Sequence, residues 1–200
     1  MKRSVKELGA ARGLLPWPAK HLNDRLNVRP GDMVCIAGTL LSGKTTMAFA
    51  CALRWARQYK VGFFYEGDPV HTLATFPDDL EDFAALNMEF LSAETLSLET
   101  IFPVVEKHGY QIIVVDNYHL LRCSGSSCYQ EKDIIEMLYS LAKKLKIVVV
   151  LTHQLLSHPN NFENHPAFAI PDAVIRIESL SRKKTRGPWT MEILKNETSF

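Results

Sequence analysis

The chain has 200 residues, 46% apolar and 22% charged, which is enough for one core-forming domain and excludes disorder as its main state. The formal net charge is only +1, and no apolar run reaches the ~18 residues of a membrane-spanning helix. Met1–Lys6 is basic with no apolar run behind it, so no secretory leader is expected.

The small net charge hides an asymmetry. Residues 1–60 carry eleven basic and three acidic side chains, residues 61–106 ten acidic and no basic ones, and residues 107–200 twelve basic and nine acidic. This pattern fits either a soluble mixed surface or head-to-tail contact between copies. Cys35, Cys51, Cys123 and Cys128 are scattered. The close pair, even with His119, matches no common zinc spacing, so reduced structural thiols and a cytoplasmic protein (or a phage or organelle replication setting) are expected.

In chain order, residues 33–37 read as a strand leading into a Gly-rich turn, and 44–58 as the helix that follows. Residues 61–65 form a second buried strand, 80–86 part of a helix and 98–107 another helix. An apolar strand at 112–115 ends in Asp116. Residues 131–145 place Ile134, Ile135, Leu138, Leu141, Ala142 and Leu145 on one helical stripe. A buried strand at 147–151 follows, and 173–177 and 190–194 read as late strands joined through Gly187-Pro188 as a hairpin. Alternating helices and unbroken apolar strands imply an α/β fold with a mainly parallel sheet covered on both faces. In such sheets ligands sit at the carboxyl ends of the strands.

One motif lies at that place. Gly38-Thr39-Leu40-Leu41-Ser42-Gly43-Lys44-Thr45, followed by Thr46, fits G-x-x-x-x-G-K-[ST] between an expected strand and an expected helix. Its glycines let backbone N–H groups converge on phosphate oxygens, and the helix N-terminus adds positive potential. Lys44 reaches the β- and γ-phosphates of a nucleotide and Thr45 offers a hydroxyl to Mg²⁺. Asp116, at the end of an apolar strand, has the Walker B pattern and would hold the Mg²⁺ shell, unless it is a turn-forming Asp. If strand 61–65 lies beside the phosphate-loop strand, Glu66 faces the γ-phosphate and can deprotonate an attacking water, with Asp68 as its substitute. Otherwise Glu66 is a solvated loop acid. After strand 147–151, Thr152-His153-Gln154 offers polar groups to the γ-phosphate, or simply ends a strand.

These elements, in this order, resemble the RecA-like ATPase core of DnaB-type replicative helicases over most of the chain. Arg29-Pro30-Gly31-Asp32 looks like the family's turn before the first strand, and Gly38–Thr45 like its Walker A. Phe63-Phe64-Tyr65-Glu66 looks like the strand ending in the catalytic glutamate. Val114-Val115-Asp116, with Tyr118, Leu120 and Leu121, looks like Walker B, and Val148–Leu155 like the sensor strand, with His153 and Gln154 at its end. The resemblance implies a RecA-like P-loop NTPase with a C-terminal β-hairpin: residues 1–30 a lead-in segment, residues 31–200 the ATPase domain. It implies ATP and Mg²⁺ as ligands, Lys44 and Glu66 as catalytic residues, single-stranded DNA as partner in replication or recombination, and a homo-oligomeric ring or filament. Two features depart from the family. Glu197 stands where an arginine is usual, so the trans-acting cation falls to Lys195, Arg182 or Arg186, or is missing. Only about thirty residues precede the core.

The loops at 117–130 and 155–170 would line the inner face of a ring or filament. There Arg122, Asn160 and Asn161 could touch phosphates and Phe162 could stack on a base, or both loops are plain surface. The basic stretch 181–186 is a solvated tip, a nucleic-acid contact or a reach to a neighbour's ATP. The leading expectation is an ATP-hydrolysing motor core on single-stranded DNA. A recombinase-like or annealing protein, or a non-hydrolysing ATP-dependent accessory protein, are the alternatives.

Overall fold

The computed structural model describes residues 15–65, 87–92, 98–118, 121, 130–155, 164–179 and 189–198. A short helix α1 (Lys20–Asn23) precedes β1 (Met33–Thr39) and α2 (Lys44–Ala56). Next come β2 (Val61–Tyr65), β3 (Met88–Ser92), α3 (Leu98–His108), β4 (Ile112–Asp116) and α4 (Glu131–Leu145). The last described elements are β5 (Val148–Leu155), α5 (Pro166–Ala169), β6 (Ala173–Ser179) and β7 (Trp189–Asn196).

The strands form one sheet in the order β3-β2-β4-β5-β1-β6-β7. Every neighbouring pair is parallel except β6 and β7, which run antiparallel. All five residues of β4 are buried, as are the first six of β1. A parallel sheet is covered on both sides, so its strands carry no polar face and read as continuous apolar runs.

Strand alternation sorts these side chains into two cores. Val34, Ile36, Val61, Phe63, Ile112, Val114, Val148 and Val150 pack with α2 and with Leu15, Trp17, Leu22, Leu26 and Val28 of the lead-in. Cys35, Phe64, Ile113, Val115, Val149 and Leu151 face the other way, toward α3 and α4. Trp17 and Trp55 meet edge to face at 5.3 Å, and Trp55 Nε1 donates to the Pro16 carbonyl at 3.0 Å. Burying a large apolar side chain contributes ~1.5–3 kcal/mol, so the described lead-in is part of the domain's core.

Helix α4 buries Ile134, Ile135, Leu138, Leu141 and Ala142, and a capping box between Gln130 and Asp133 fixes its start. The turn into β1 is pinned by carboxylates. Asp32 accepts from the Arg29 backbone N–H at 2.8 Å, and Asp172 from that of Met33 at 2.8 Å. Lys143 Nζ lies 3.1 Å from Asp172 and 3.8 Å from Asp32. The Pro-Gly-Asp turn therefore has a structural role at the end of the sheet where β1 begins.

Several expectations change. The edge strand β3 was not foreseen, because five residues containing Glu89 carry too short a pattern. Strand β5 runs on to Leu155, so Thr152, His153 and Gln154 lie within it. Strand β2 does not neighbour β1: β4 and β5 stand between them. The loop expected at 155–170 contains α5, and α1 is an added turn of helix. The helix expected at 80–86 and the hairpin connection through Gly187-Pro188 lie outside the described residues. Among the described residues no helix is long and apolar enough to cross a membrane.

Candidate functional site

The carboxyl ends of β1, β2, β4 and β5 open into one cleft of about 360 Å³. It is lined by Leu40, Leu41, Gly43, Lys44, Thr45, Thr46, Tyr65, Asp116, Asn117, Thr152 and Gln154. Local chemistry shapes its floor. A Cβ on Gly38 would collide with Ser42 Oγ and with the Ile177 carbonyl, so only glycine lets the loop fold back there. Gly43 has φ 93°, caps α2 and provides no side-chain cap bond. The first N–H groups of this 13-residue helix thus have neither an intrahelical partner nor a side-chain cap. Ser42 Oγ is buried with no hydrogen-bond partner among the described residues. Donors converging on one loop make an anion site.

Two charged groups face each other across it. Lys44 Nζ donates to the Thr39 carbonyl at 2.7 Å, which holds the ammonium against the loop. Burial lowers its pKa, and the charge of Asp116 works against that shift. Asp116 is 5% exposed at the end of β4. Burial raises its pKa, while hydrogen bonds from Thr152 and Thr45 and the charge of Lys44 pull the other way. Thr152 Oγ1 donates to Asp116 Oδ1. The peptide bond between Asp116 and Asn117 is cis.

Strand parity decides which neighbours join this cluster. On β5, Val148 and Val150 belong to the α2 side, so Thr152 and Gln154 face the cleft. His153 lies on the other side, 5% exposed, with Nδ1 2.8 Å from the Tyr118 hydroxyl. It does not reach the cleft, which corrects its expected contact with the γ-phosphate. The premise that set Glu66 beside the phosphate loop also fails, since β2 lies three strands from β1. Tyr65, the last residue of β2, does line the cleft. Glu66 itself, Asp68, Arg122, Asn160, Asn161, Phe162, Arg182 and Arg186 lie outside the described residues. Lys195 is on β7 and away from the cleft lining, donating to the Ala169 carbonyl at 2.7 Å with Glu197 at 3.1 Å.

Tyr65 and Asn117 line the cleft although the motifs did not point to them, and Thr152 lines it with Gln154 as the strand-end polar groups suggest. For Tyr65 and Thr152 the signal is the two-residue period of a strand, usable only once the strand's true end is known.

The donor set fits a nucleotide and its magnesium. A loop of backbone N–H groups, a lysine, and a threonine hydroxyl beside a carboxylate match phosphate oxygens and a hard cation. No family model matches the chain, and no curated protein matches it. Among solved structures it is similar to the flagellar accessory protein FlaH from Methanocaldococcus jannaschii, with TM-score 0.70 and 13% identity, over 95% of this chain and 92% of that one. At that identity the likeness concerns architecture alone: this chain has a RecA-like α/β fold with a mainly parallel sheet.

Proposed function

We propose that the chain binds ATP with Mg²⁺ in this cleft, hydrolyses it, and works as an oligomeric motor core on single-stranded DNA. The observation that carries the nucleotide part is the convergence of the uncapped α2 N-terminus, Lys44 and the Thr45–Asp116–Thr152 chain in one place. Thr45 and Asp116 would hold Mg²⁺, which when bound supplies a Lewis acid that neutralises charge developing on the β- and γ-oxygens. Lys44 leaves the Thr39 carbonyl for the phosphates, exchanging a neutral acceptor for a charged one. Gln154 and Thr152 stand at the cleft wall, where they can sense the terminal phosphate and pass its presence along β5. Glu66, directly after Tyr65 in the chain, keeps the role of general base in this reading.

The DNA part rests on the likeness of the motifs to DnaB-type helicases. A second reading, an ATP-dependent accessory protein without turnover, is favoured by two observations. The similar solved structure is an accessory protein. Among the described residues the one candidate for a trans-acting cation, Lys195, is held by a carbonyl and by Glu197.

ATP turnover with and without single-stranded DNA separates the readings. The motor reading expects DNA-stimulated hydrolysis that Glu66→Gln slows by ~10²–10⁴-fold while ATP binding survives. Binding without turnover, in the presence or absence of DNA, selects the accessory reading. Strand displacement on a forked substrate then distinguishes a helicase from an annealing protein.

A further inference from the structure

Two imidazoles and a carboxylate meet on the side of β5 turned away from the cleft. Glu131 opens α4, His153 sits in β5, and His165 caps α5. Each offers one ligand atom, and these atoms lie within 4.8 Å of one another. His153 Nδ1 is 3.6 Å from Glu131 Oε1, and His165 Nε2 is 3.5 Å from Glu131 Oε2. Ligands at ~2.0–2.2 Å from a tetrahedral ion stand ~3.3–3.6 Å from each other. The two separations from Glu131 match that spacing, and the third pair lies within 4.8 Å.

The three side chains are also held in place. The His153 and His165 rings lie 4.7 Å apart, and Phe168 meets both edge-on at 5.6 and 5.7 Å. Tyr118 stacks on His153 with ring centroids 5.7 Å apart. A strand, a four-turn helix and a capped turn supply one ligand each, so the site ties together segments far apart in sequence.

We propose that Glu131, His153 and His165 form a binding site for a borderline transition-metal ion of the zinc class, with a fourth position open to water. Two imidazoles and one carboxylate suit zinc better than magnesium, which prefers oxygen ligands and keeps its water. The site is separate from the Thr45–Asp116 pair, because strand alternation puts His153 on the opposite side of the sheet from Thr152 and Gln154.

Loading exchanges existing contacts. His165 Nδ1 accepts from the Ala167 backbone N–H at 3.2 Å, and a metal on Nε2 leaves the ring proton on Nδ1, so that cap is given up. The Tyr118 hydroxyl, 2.8 Å from His153 Nδ1, turns from that nitrogen to the carboxylate or to the bound water. Metal binding thus competes with the cap at the start of α5.

The test is titration of Zn²⁺ into the full chain without an affinity tag, thiols kept reduced and Mg²⁺ present throughout, followed by calorimetry. The expected result is one zinc per chain and a zinc-dependent rise in Tm. Co²⁺ in place of zinc should give the intense visible absorption of a four-coordinate ion. His165→Gln and, separately, Glu131→Gln should each weaken zinc by more than ~100-fold, since losing even an outer-shell partner costs ~10–100-fold. Using both partly exposed positions keeps the test valid if one variant folds poorly. Lys44→Ala and the double variant Cys123→Ser/Cys128→Ser should bind zinc as the parent does. No saturable binding in the parent overturns the proposal and leaves a hydrogen-bonded His-Glu-His cluster. Binding that survives both Gln variants, or that disappears with the two cysteines, overturns it equally.

Discussion

Glu89, near the start of β3, and Asp116, at the end of β4, are carboxylates toward opposite ends of the same sheet, and their surroundings treat the same charge in opposite ways. Glu89 is fully provided for. Tyr110 donates to it at 2.6 Å, Lys60 lies at 3.0 Å and His108 at 2.8 Å. The hydrogen bond from Tyr110, with those from Lys60 and His108, holds its pKa at about 2. Asp116 is buried, and burial raises its pKa despite Thr152, Thr45 and Lys44. One end of the sheet uses a carboxylate to stabilise the fold. The other holds a carboxylate whose ionised form gains most when a cation arrives, as expected of a site arranged for binding.

The largest break in this comparison is Lys44→Ala. It removes the cation of the cleft and should cost ~2–5 kcal/mol of ATP affinity, the range for truncating one side of a buried charge pair. Fluorescent-nucleotide titration measures it, and unchanged affinity would remove the nucleotide assignment. Folding stability should move little, because among the described residues the hydrogen bond of Lys44 Nζ goes to one loop carbonyl.

Asp116→Asn is the sharper test. It should abolish Mg²⁺-dependent tightening of nucleotide binding and raise stability in ligand-free denaturation by roughly 0.5–2 kcal/mol, as is common when a functional group held against stability is replaced. A variant that loses stability at neutral pH would mean that Asp116 is a structural acid like Glu89. Glu89→Gln should do the reverse. It should lower stability by about 1 kcal/mol, a modest figure because the side chain is 41% exposed and solvent screens the pair. ATP affinity should stay the same.

The pH dependence separates the two residues by sign. The folded pKa of Glu89 lies below its ordinary value of 4.5, so its stabilisation is complete above that value and is lost as pH falls toward about 2. The gap between the parent and Glu89→Gln should therefore close over that window in acid denaturation curves. The folded pKa of Asp116 lies above its ordinary 3.8, so its contribution is greatest in acid and is lost as pH rises through the folded value. The advantage of Asp116→Asn should accordingly vanish below pH 3.8 and grow toward neutrality. Parallel behaviour of the two variants would dissolve the contrast.

Local pattern was enough for much of this. The unbroken apolar runs of β1, β2, β4 and β5 declared buried parallel strands, because such strands have no polar face to alternate. The stripe from Ile134 to Leu145 declared α4, and the spacing from Gly38 to Thr45 declared the loop, because both depend on contacts within a few residues. Lys44, Thr45 and Asp116 could be named from these signals alone.

What depended on distant parts of the chain was not legible in the same way. Strand order put β4 and β5 between β1 and β2, and a crossover connection leaves no mark of its destination in the residues that make it. The side on which His153 falls hung on the end of β5, since a strand's side chains alternate and each further paired residue fixes which of Thr152, His153 and Gln154 turns to the cleft. Residues 15–28 read as a lead-in because their apolar side chains have no local period, yet Trp17 and Leu22 are buried beside α2. Glu131, His153 and His165 stand 12 to 34 positions apart in sequence, so their meeting is a product of packing α4 and α5 against one face of β5. Short-range periodicity specifies what each segment becomes. Burial against partners far along the chain specifies where it goes and which side chains it brings together.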